Sequence, residues 1–209
     1  MSNIKLQIAL DFPTAKQALN ITKQVHKYVD IIEMGTPLIK CEGLKVISQF
    51  KKFKKPIVAD LKTMDTGFFE AELAYKAGAS YATVLGVSDD STIKGAIEAA
   101  KKYKKIIMVD LIGVSNIVKR AQQVLKFGAD YVCIHSGIDM QHMGKTPLGD
   151  LKKLVKKVSS KKIAIAGGIK LETVDEIAKN KPGIIIVGGG ITSSKNPLKA
   201  AKELKARIK

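Results

Sequence analysis

Eight short apolar runs recur along the chain, about 25 residues apart, and apolar positions are nearly continuous within each run. They are LQIAL (6–10), VDIIEM (29–34), PIVAD (56–60), SYATVL (80–85), KIIMVDL (105–111), DYVCIH (130–135), KIAIAG (162–167) and GIIIVG (183–188). Strands that are apolar on both faces are typical of a parallel sheet covered by helices. The pattern therefore predicts eight parallel strands.

Longer amphipathic segments, rich in Lys, Glu and Ala, connect these runs and indicate helices. Residues 14–29 and 116–128 are two of them, and the second ends in Gly128, which suits a helix C-cap. Eight strand–helix units close naturally into a (β/α)8 TIM barrel of the α/β class. A doubly wound open sheet is the alternative, but its usual early GxGxxG segment is absent. No linker divides the chain, so we expect residues 1–209 to form a single domain.

The positive charge of the chain is large but is carried almost entirely by lysine. The formal net charge is +17, and Arg120 and Arg207 are the only arginines. Arginine is the preferred side chain for bases and phosphates, and aromatic residues make up only 5% of the chain. A lysine-rich solvated surface is therefore favoured over a nucleic-acid-binding face, and a bias toward anionic small molecules stays open.

The two cysteines and two of the three histidines give no sign of a zinc site. Cys41 and Cys133 are not part of any CxxC or metal-spaced group, so we expect reduced, structural thiols. His26 falls within the first helical pattern, and His142 falls in a predicted loop without an assignable role. The first apolar run is too short for a signal peptide, and no run reaches 18 apolar residues. We therefore expect a soluble, cytoplasmic protein that does not bind membranes.

Charged or imidazole side chains stand at the ends of five of the predicted strands. Active sites of (β/α)8 barrels lie at the carboxyl ends of the strands. Side chains alternate along a strand, so Asp60 and Lys62 share a face with Val58. An inward orientation of these faces would bring the polar groups together at the barrel mouth. The residues concerned are Asp11, Glu33, Asp60, Lys62, Asp110 and His135.

Each of these residues, taken alone, also has a simple structural explanation. Asp11 could cap the helix that starts near Thr14, and Asp110 could cap the fifth helix. Asp60 and Lys62 could form an ordinary ion pair. Their occurrence together at matching strand ends favours a functional site.

The chemistry of these side chains indicates metal binding and proton transfer. Glu33 and Asp60 lie on adjacent strands, and two carboxylates with room for water suit Mg²⁺. His135 is the only histidine at a strand end and can move a proton near neutral pH. Lys62 can neutralise a developing oxyanion.

Glycines follow the seventh and eighth predicted strands, where barrels of this type commonly bind phosphate. The segments are AIAGGIK and IIVGGGITSS, which contain Gly167 and Gly168, then Gly189 and Gly190. Glycine leaves backbone N–H groups accessible to an anion, although it also serves tight turns. The two segments together indicate a phosphorylated substrate.

The segment DLKTMD resembles the DxKxxD motif of the orotidine 5′-monophosphate decarboxylase superfamily. The resemblance extends over nearly the whole chain, in LQIALD, VDIIEMGTPLIKCEGL, VADLKTMD, GADYVCIHSGIDMQ, IAIAGGIK and IIIVGGGI. DxKxxD is specific to the superfamily only, and its combination with EMGTPLI and HSGIDMQ resembles the aldehyde-lyase branch that uses formaldehyde.

Other branches of the superfamily, and related barrels, differ at identifiable positions. Orotidine monophosphate decarboxylases carry a lysine where this chain has Glu33. Ribulose-phosphate epimerases bind metal through histidines on early strands, but no histidine lies between His26 and His135. Decarboxylases of 3-keto-L-gulonate 6-phosphate carry arginines after the sixth-strand histidine and remain the alternative. In their place this chain has Ser136, Gly137, Ile138 and Asp139.

The resemblance implies a reversible, Mg²⁺-dependent aldol-type condensation, with Mn²⁺ as a possible substitute. D-ribulose 5-phosphate would lose a C1 proton to give a metal-stabilised enediolate, which would attack formaldehyde to form D-arabino-hex-3-ulose 6-phosphate. Glu33 and Asp60 would be metal ligands, and His135 would transfer the proton. Lys62 and Asp11 would contact substrate oxygens.

The resemblance also implies a homodimer with shared active sites. In this superfamily the last aspartate of DxKxxD, here Asp65, reaches into the site of the partner. Gly167, Gly168, Gly189 and Gly190 would bind the phosphate, and Gly189 stands where some relatives have an arginine, which implies weaker anchoring. Asp110 receives no role.

Overall fold

The predicted apolar runs all lie in parallel strands, and the last strand returns to pair with the first. The structure, a computed structural model, describes residues 4–208. Its strands are β1 (Lys5–Leu10), β2 (Ile31–Met34), β3 (Ile57–Thr63), β4 (Tyr81–Leu85), β5 (Ile106–Asp110), β6 (Tyr131–His135), β7 (Ile163–Ala166) and β8 (Ile184–Val187). The pairing of β8 with β1 closes the sheet, so the predicted (β/α)8 barrel is confirmed and the open sheet is excluded.

Helices connect every strand to the next, and β2, β6 and β8 are each followed by two. The helices are α1 (Ala15–Val25), α2 (Thr36–Glu42), α3 (Val46–Phe50), α4 (Gly67–Ala77), α5 (Asp90–Tyr103), α6 (Ile117–Phe127), α7 (Ile138–His142), α8 (Leu148–Leu154), α9 (Leu171–Ala178), α10 (Gly189–Thr192) and α11 (Pro197–Arg207). Within residues 4–208, none of them is long and apolar enough to cross a bilayer.

The helix predicted over residues 116–128 shows why these segments are helical. Asn116 caps α6, because its side chain accepts a hydrogen bond from the Lys119 N–H at 3.0 Å. Gly128 ends the helix with φ 111°, a left-handed conformation that suits glycine. Both the helix and its glycine C-cap are therefore confirmed.

Two layers of apolar side chains build the core. The larger layer lies between the barrel and the helices, and the smaller one fills the barrel interior. Cys133 belongs to the interior layer and is buried, whereas Cys41 is exposed on α2; both are free thiols. The expectation of a structural role is therefore wrong for Cys41. The interior layer contains Ala9, Ile31, Val58, Tyr81, Met108, Cys133, Ala164, Ala166, Ile184 and Ile186.

Strand β3 is longer than predicted, because it continues past Asp60 to Thr63. Val58 belongs to the barrel interior and Ala59 to the outer layer, as the predicted alternation requires. Asp60 and Lys62 both line the cavity at the barrel mouth. The shared inward face of these residues is therefore confirmed, and the extra length of strand carries Lys62 to the site.

Candidate active site

A cavity of about 1130 Å³ occupies the carboxyl-terminal mouth of the barrel. It collects almost all of the residues that the sequence places in a functional site. Asp65 is the exception: it is exposed in the β3–α4 connection, where its carboxylate accepts the Thr66 N–H at 2.7 Å. The predicted residues that line the cavity are Asp11, Glu33, Asp60, Lys62, Asp110, His135, Gly167, Gly168, Gly189 and Gly190.

The Asp60 carboxylate is fixed by three donors from three different elements. Its Oδ1 accepts the hydroxyl of Thr83 at 2.8 Å, and its Oδ2 accepts the hydroxyl of Thr36 at 2.9 Å. The Lys62 ammonium lies 2.5 Å from the same Oδ2. The Asp60 residue is only 5% exposed, so this carboxylate is held in one orientation.

Asp110 joins Lys62 to His135. Its Oδ2 lies 3.5 Å from the Lys62 Nζ and 2.8 Å from the His135 Nδ1, while its Oδ1 accepts the Ile112 N–H at 3.0 Å. Burial alone would raise the pKa of Asp110, but the interactions with His135 and Lys62 outweigh it and lower that pKa. Helix α6 is capped by Asn116, so Asp110 is part of the site and not a helix cap.

The contact with Asp110 determines which nitrogen of His135 is available. An ionised carboxylate can only accept a hydrogen bond, so the His135 Nδ1 carries a hydrogen. In the neutral ring, Nε2 then has the free lone pair. His135 lines the cavity, with its side chain 21% exposed. This arrangement suits a general base that later returns the proton.

The charge of Lys62 is stabilised by its two neighbours. Burial by itself would lower the pKa of Lys62, but the carboxylates of Asp60 and Asp110 raise it above its ordinary value. The side chain is therefore an ammonium at neutral pH. A positive charge in this place favours stabilisation of an oxyanion and disfavours imine formation.

Glu33 and Gln7 form a buried polar pair deeper in the cavity. The Gln7 Nε2 donates to the Glu33 Oε2 at 2.5 Å. Burial raises the pKa of Glu33 well above its ordinary value, and the charge of Asp60 raises it further. The Gln7 Oε1 is buried without a hydrogen-bond partner among residues 4–208. Two repelling carboxylates and an unpartnered amide oxygen are the hard oxygen donors that suit Mg²⁺.

The cation would have to draw its remaining ligands from water or substrate. Over residues 4–208, no group of three or more His, Cys, Asp and Glu side chains is arranged to hold a metal. Mg²⁺ usually keeps several waters and needs only one or two carboxylates, so Glu33 and Asp60 fit it. The buried thiol of Cys133 has a raised pKa because of its burial and therefore offers no soft thiolate ligand.

Replacing Glu33 by glutamine is expected to stabilise the metal-free protein. Removal of the charge from this buried position should raise the free energy of unfolding and the Tm, because burial raises the pKa of Glu33 well above its ordinary value. The ordinary pKa of a glutamate is 4.5. Below this pH Glu33 is protonated in both the folded and the unfolded protein and does not destabilise the fold. As the pH rises through the folded pKa, ionisation of the buried group lowers the free energy of unfolding.

Thermal unfolding in the presence of a chelator, from acidic to neutral pH, measures this effect. The difference in Tm between Glu33→Gln and the unaltered protein should grow with pH, while Glu98→Gln, at an exposed glutamate, should follow the unaltered protein. A Tm difference that stays constant across this pH range would show that ionisation of Glu33 does not destabilise the fold.

The glycines after β7 and β8 bring bare backbone to the cavity. Gly167 and Gly168 have φ angles of 108° and 64°, and a Cβ on Gly167 would collide with the Ser136 carbonyl. A Cβ on Gly190 would collide with the Ile169 carbonyl. Backbone packing therefore requires glycine at positions 167 and 190, while at Gly168 the left-handed φ of 64° favours it.

Gly189 differs, because a Cβ there would meet only the Ser193 Oγ, at 3.7 Å. A Cβ would fit at this position, so glycine is not required there by packing. Two lysines, Lys145 and Lys170, line the same cavity and supply positive charge.

The structure tests the sequence-based expectations for three further residues. Asp11 does not cap α1, whose cap is Thr14; its carboxylate instead occupies the space that the missing side chain of Gly35 leaves. His142 ends α7 and is not in a loop, which corrects the prediction. His26 follows α1 and packs on Phe53, with ring centroids 5.2 Å apart, as expected for a packing residue.

Sequence reasoning gave no role in the site to Thr36, Thr83 or Asp110. Thr83 carried a usable signal, since it is a polar residue two positions from Tyr81 on the inward face of β4. Asp110 stood at a strand end, but its partners His135 and Lys62 lie on other strands. Thr36 begins a helix, where a hydroxyl has an ordinary structural explanation.

The barrel mouth contains two carboxylates, an imidazole oriented by a third carboxylate, and an ammonium group fixed by ion pairs. This combination is that of an enzyme active site in a (β/α)8 barrel. The chain belongs to the orotidine 5′-phosphate decarboxylase / HUMPS family, whose profile matches residues 4–204. This confirms the resemblance found in the sequence.

Relatives and solved structures resemble the chain over almost its full length. The 3-hexulose-6-phosphate synthase of Bacillus subtilis (strain 168) is 44% identical over 207 residues, which are 98% of this chain and 99% of the relative. The crystal structure of 3-hexulose-6-phosphate synthase from Salmonella typhimurium has a TM-score of 0.95 and 39% identity, covering 98% of each chain. A crystal structure of KGPDC from Streptococcus mutans has a TM-score of 0.90 and 30% identity, covering 98% of this chain and 97% of that one. The chain is therefore an enzyme of the lyase type.

Proposed function

We propose that the chain is a 3-hexulose-6-phosphate synthase that reversibly joins formaldehyde to D-ribulose 5-phosphate, giving D-arabino-hex-3-ulose 6-phosphate. The observation that carries the proposal is the continuous series of contacts from Asp60 through Lys62 and Asp110 to His135 within one cavity. The full-length similarity to relatives of that name supports it.

The reaction needs a base that removes a proton from C1 of the ketose and later delivers a proton to the oxygen of formaldehyde. The His135 Nε2 takes the C1 proton, and the electron pair of the C–H bond passes into an enediolate. C1 then forms a bond with the formaldehyde carbon, while the π bond of formaldehyde breaks and the C2 carbonyl of the sugar forms again. The oxygen that came from formaldehyde receives the proton from His135. The Lys62 ammonium stabilises the negative oxygen during both steps.

Glu33 and Asp60 would bind the Mg²⁺ ion, with Mn²⁺ as a possible replacement. When bound, this ion supplies Lewis-acid polarisation of the sugar oxygens. Gln7 orients Glu33 through the contact at 2.5 Å, and Thr36 orients Asp60 at 2.9 Å. Both carboxylates thereby keep fixed directions toward the cavity.

The phosphate of the substrate would lie beyond β7 and β8. Gly167, Gly168, Gly189 and Gly190 would present backbone N–H groups, while Lys145 and Lys170 add positive charge at the same rim. At the end of the neighbouring strand β1, Asp11 would accept a hydrogen bond from a substrate hydroxyl.

The proposed homodimer rests on the surface beside the mouth. Met64 and Phe69 are 55% and 59% exposed and flank Asp65 in the chain. Large exposed apolar side chains in one segment indicate an interaction surface. A second copy seated there would let Asp65 enter the partner's cavity.

A mixture of two inactive variants is expected to regain activity if the sites are shared. Asp65→Asn and Asp60→Asn each damage every site of their own homodimer, but a mixed dimer has one intact site. Random reassociation in equal amounts should restore about a quarter of the original sites. Unfolding and refolding the variants together, followed by an assay, measures this. Recovery that does not exceed the sum of the separately refolded variants would show that Asp65 acts within its own subunit or not at all.

The proposed activity is tested by incubating the pure protein with D-ribulose 5-phosphate, formaldehyde and Mg²⁺. Formaldehyde should disappear, a chelator should stop its consumption, and added Mg²⁺ should restore it. Absence of consumption with every divalent ion tried would overturn the proposal. Release of CO₂ from 3-keto-L-gulonate 6-phosphate would instead favour the decarboxylase alternative, which the absence of arginine at 136–139 disfavours.

A further inference from the structure

Strand β3 carries two more residues than β4 at the level of the active site. Ala59 pairs with Ala82, but the next pair is Thr63 with Val84, so four steps along β3 correspond to two along β4. The additional residues form a bulge in the ladder. Lys62, within the bulge, has φ 48°, a left-handed conformation that a residue with a side chain rarely adopts.

The hydroxyl of Thr83 occupies the gap that this bulge leaves. The Lys62 N–H donates to the Thr83 Oγ1 at 3.0 Å, and the Thr83 hydroxyl donates to the Asp60 Oδ1 at 2.8 Å. Because the carboxylate can only accept, the direction of both hydrogen bonds is determined. One side chain of β4 thus contacts the backbone of one site residue and the carboxylate of another.

We infer that Thr83 is a positioning residue that maintains the bulge of β3 and thereby the placement of Asp60 and Lys62. A backbone N–H normally bonds to the neighbouring strand, and here the threonine oxygen replaces that carbonyl. Among residues 4–208, the Asp60 Oδ1 accepts a hydrogen bond from Thr83 alone. Thr83 is 5% exposed, so bulk water has little access to replace its hydroxyl.

The shape of the residue and its hydroxyl can be separated by substitution. Thr83→Val keeps the branched shape and removes the hydroxyl that contacts the Lys62 N–H and the Asp60 carboxylate. Thr83→Ser keeps the hydroxyl and loses a methyl group. If the hydroxyl positions the site, the serine variant behaves as the threonine protein does, and the valine variant does not.

Amide hydrogen exchange of Lys62, resolved by NMR, tests this inference without reference to any activity. In Thr83→Val the Lys62 amide should exchange about tenfold faster or more, whereas the amides of Val58 and Ala59 should keep their protection. In Thr83→Ser the Lys62 amide should stay protected. The matched control is Thr22→Val, at a buried threonine of α1 whose hydroxyl bonds to the Ala18 carbonyl, and it should leave Lys62 unchanged.

Turnover gives a second readout, which rests on the proposed function. Thr83→Val should lower kcat by about 10- to 100-fold with a smaller change in KM, Thr83→Ser should restore most of it, and Thr22→Val should have no effect. If the unaltered protein shows no turnover, the proposed function fails, and the exchange experiment still decides the role of Thr83.

Two results would overturn the inference. One is a Lys62 amide that remains as protected in Thr83→Val as in the unaltered protein. The other is a serine variant that loses protection as the valine variant does, because the methyl group would then be responsible. If Thr83→Val does not fold, Thr83→Cys, which has a similar volume and a weakly accepting thiol, is measured with the same expected direction.

Discussion

Asp60→Asn is expected to lower the rate of formaldehyde consumption by about 10²- to 10³-fold or more while the barrel remains folded. The substitution keeps the shape of the side chain and removes one of the two carboxylates proposed to bind the cation. It also removes the nearer of the two negative charges beside the Lys62 ammonium, at 2.5 Å. The first loss weakens binding of the cation, and the second removes the contact that holds the Lys62 ammonium in place, so both disturb the stabilisation of an oxyanion.

The fold should survive because the remaining contacts of the site compensate for the lost charge. The amide oxygen at position 60 can take the place of Oδ2 and accept from Thr36 and Lys62, while its NH2 group can donate to the Thr83 hydroxyl. Asp110 still neutralises Lys62 from 3.5 Å. Removal of the charge also ends its repulsion with the buried Glu33. We therefore expect a Tm within a few degrees of the original.

Steady-state assays beside circular dichroism measure the two effects separately. The control is Asp175→Asn, at an exposed aspartate paired with Arg207 at 3.0 Å, and its rate should not change. Turnover of Asp60→Asn within a few fold of the original would remove Asp60 from the reaction centre. A loss of folding in this variant would instead mean that Asp60 is needed for stability.

The barrel could be predicted because each strand carries its own local signal. Continuous apolar runs indicate parallel strands, and period-two alternation places Val58, Asp60 and Lys62 on one face without reference to any other strand. Glu33 and His135 could be found in the same way, since strand ends define the barrel mouth. Each of these inferences uses the sequence of a single strand and needs no knowledge of its neighbours.

The parts that could not be predicted depend on contacts between strands. The bulge in β3 arises from the register with β4, which sequence spacing does not reveal, so the strand was expected to end at Asp60. The function of Asp110 depends on its distances to Lys62 and His135, which lie on different strands. Local patterns identify the residues at the mouth but not which of them touch.

His135→Gln is expected to lower the rate at which the C1 proton of D-ribulose 5-phosphate is removed by about 10²- to 10⁴-fold. Glutamine has a similar length and polarity but no basic nitrogen. The reaction can be followed without formaldehyde, as exchange of the C1 hydrogen with D₂O in proton NMR spectra. This isolates the proton transfer from the formation of the carbon–carbon bond. His142→Gln, at a histidine that does not line the cavity, should exchange at the original rate.

Asp110→Asn separates the orientation of the imidazole from its presence. Its amide can donate a hydrogen bond to the His135 Nδ1, which would move the hydrogen to Nε2 and leave the cavity-facing nitrogen without a lone pair. C1 exchange should therefore fall almost as far as in His135→Gln, although His135 is intact. Asp110→Glu, which can still only accept, should keep more activity than Asp110→Asn. If the asparagine variant instead exchanges C1 as fast as the unaltered protein, the contact at 2.8 Å does not determine the tautomer, and the base must act from another orientation.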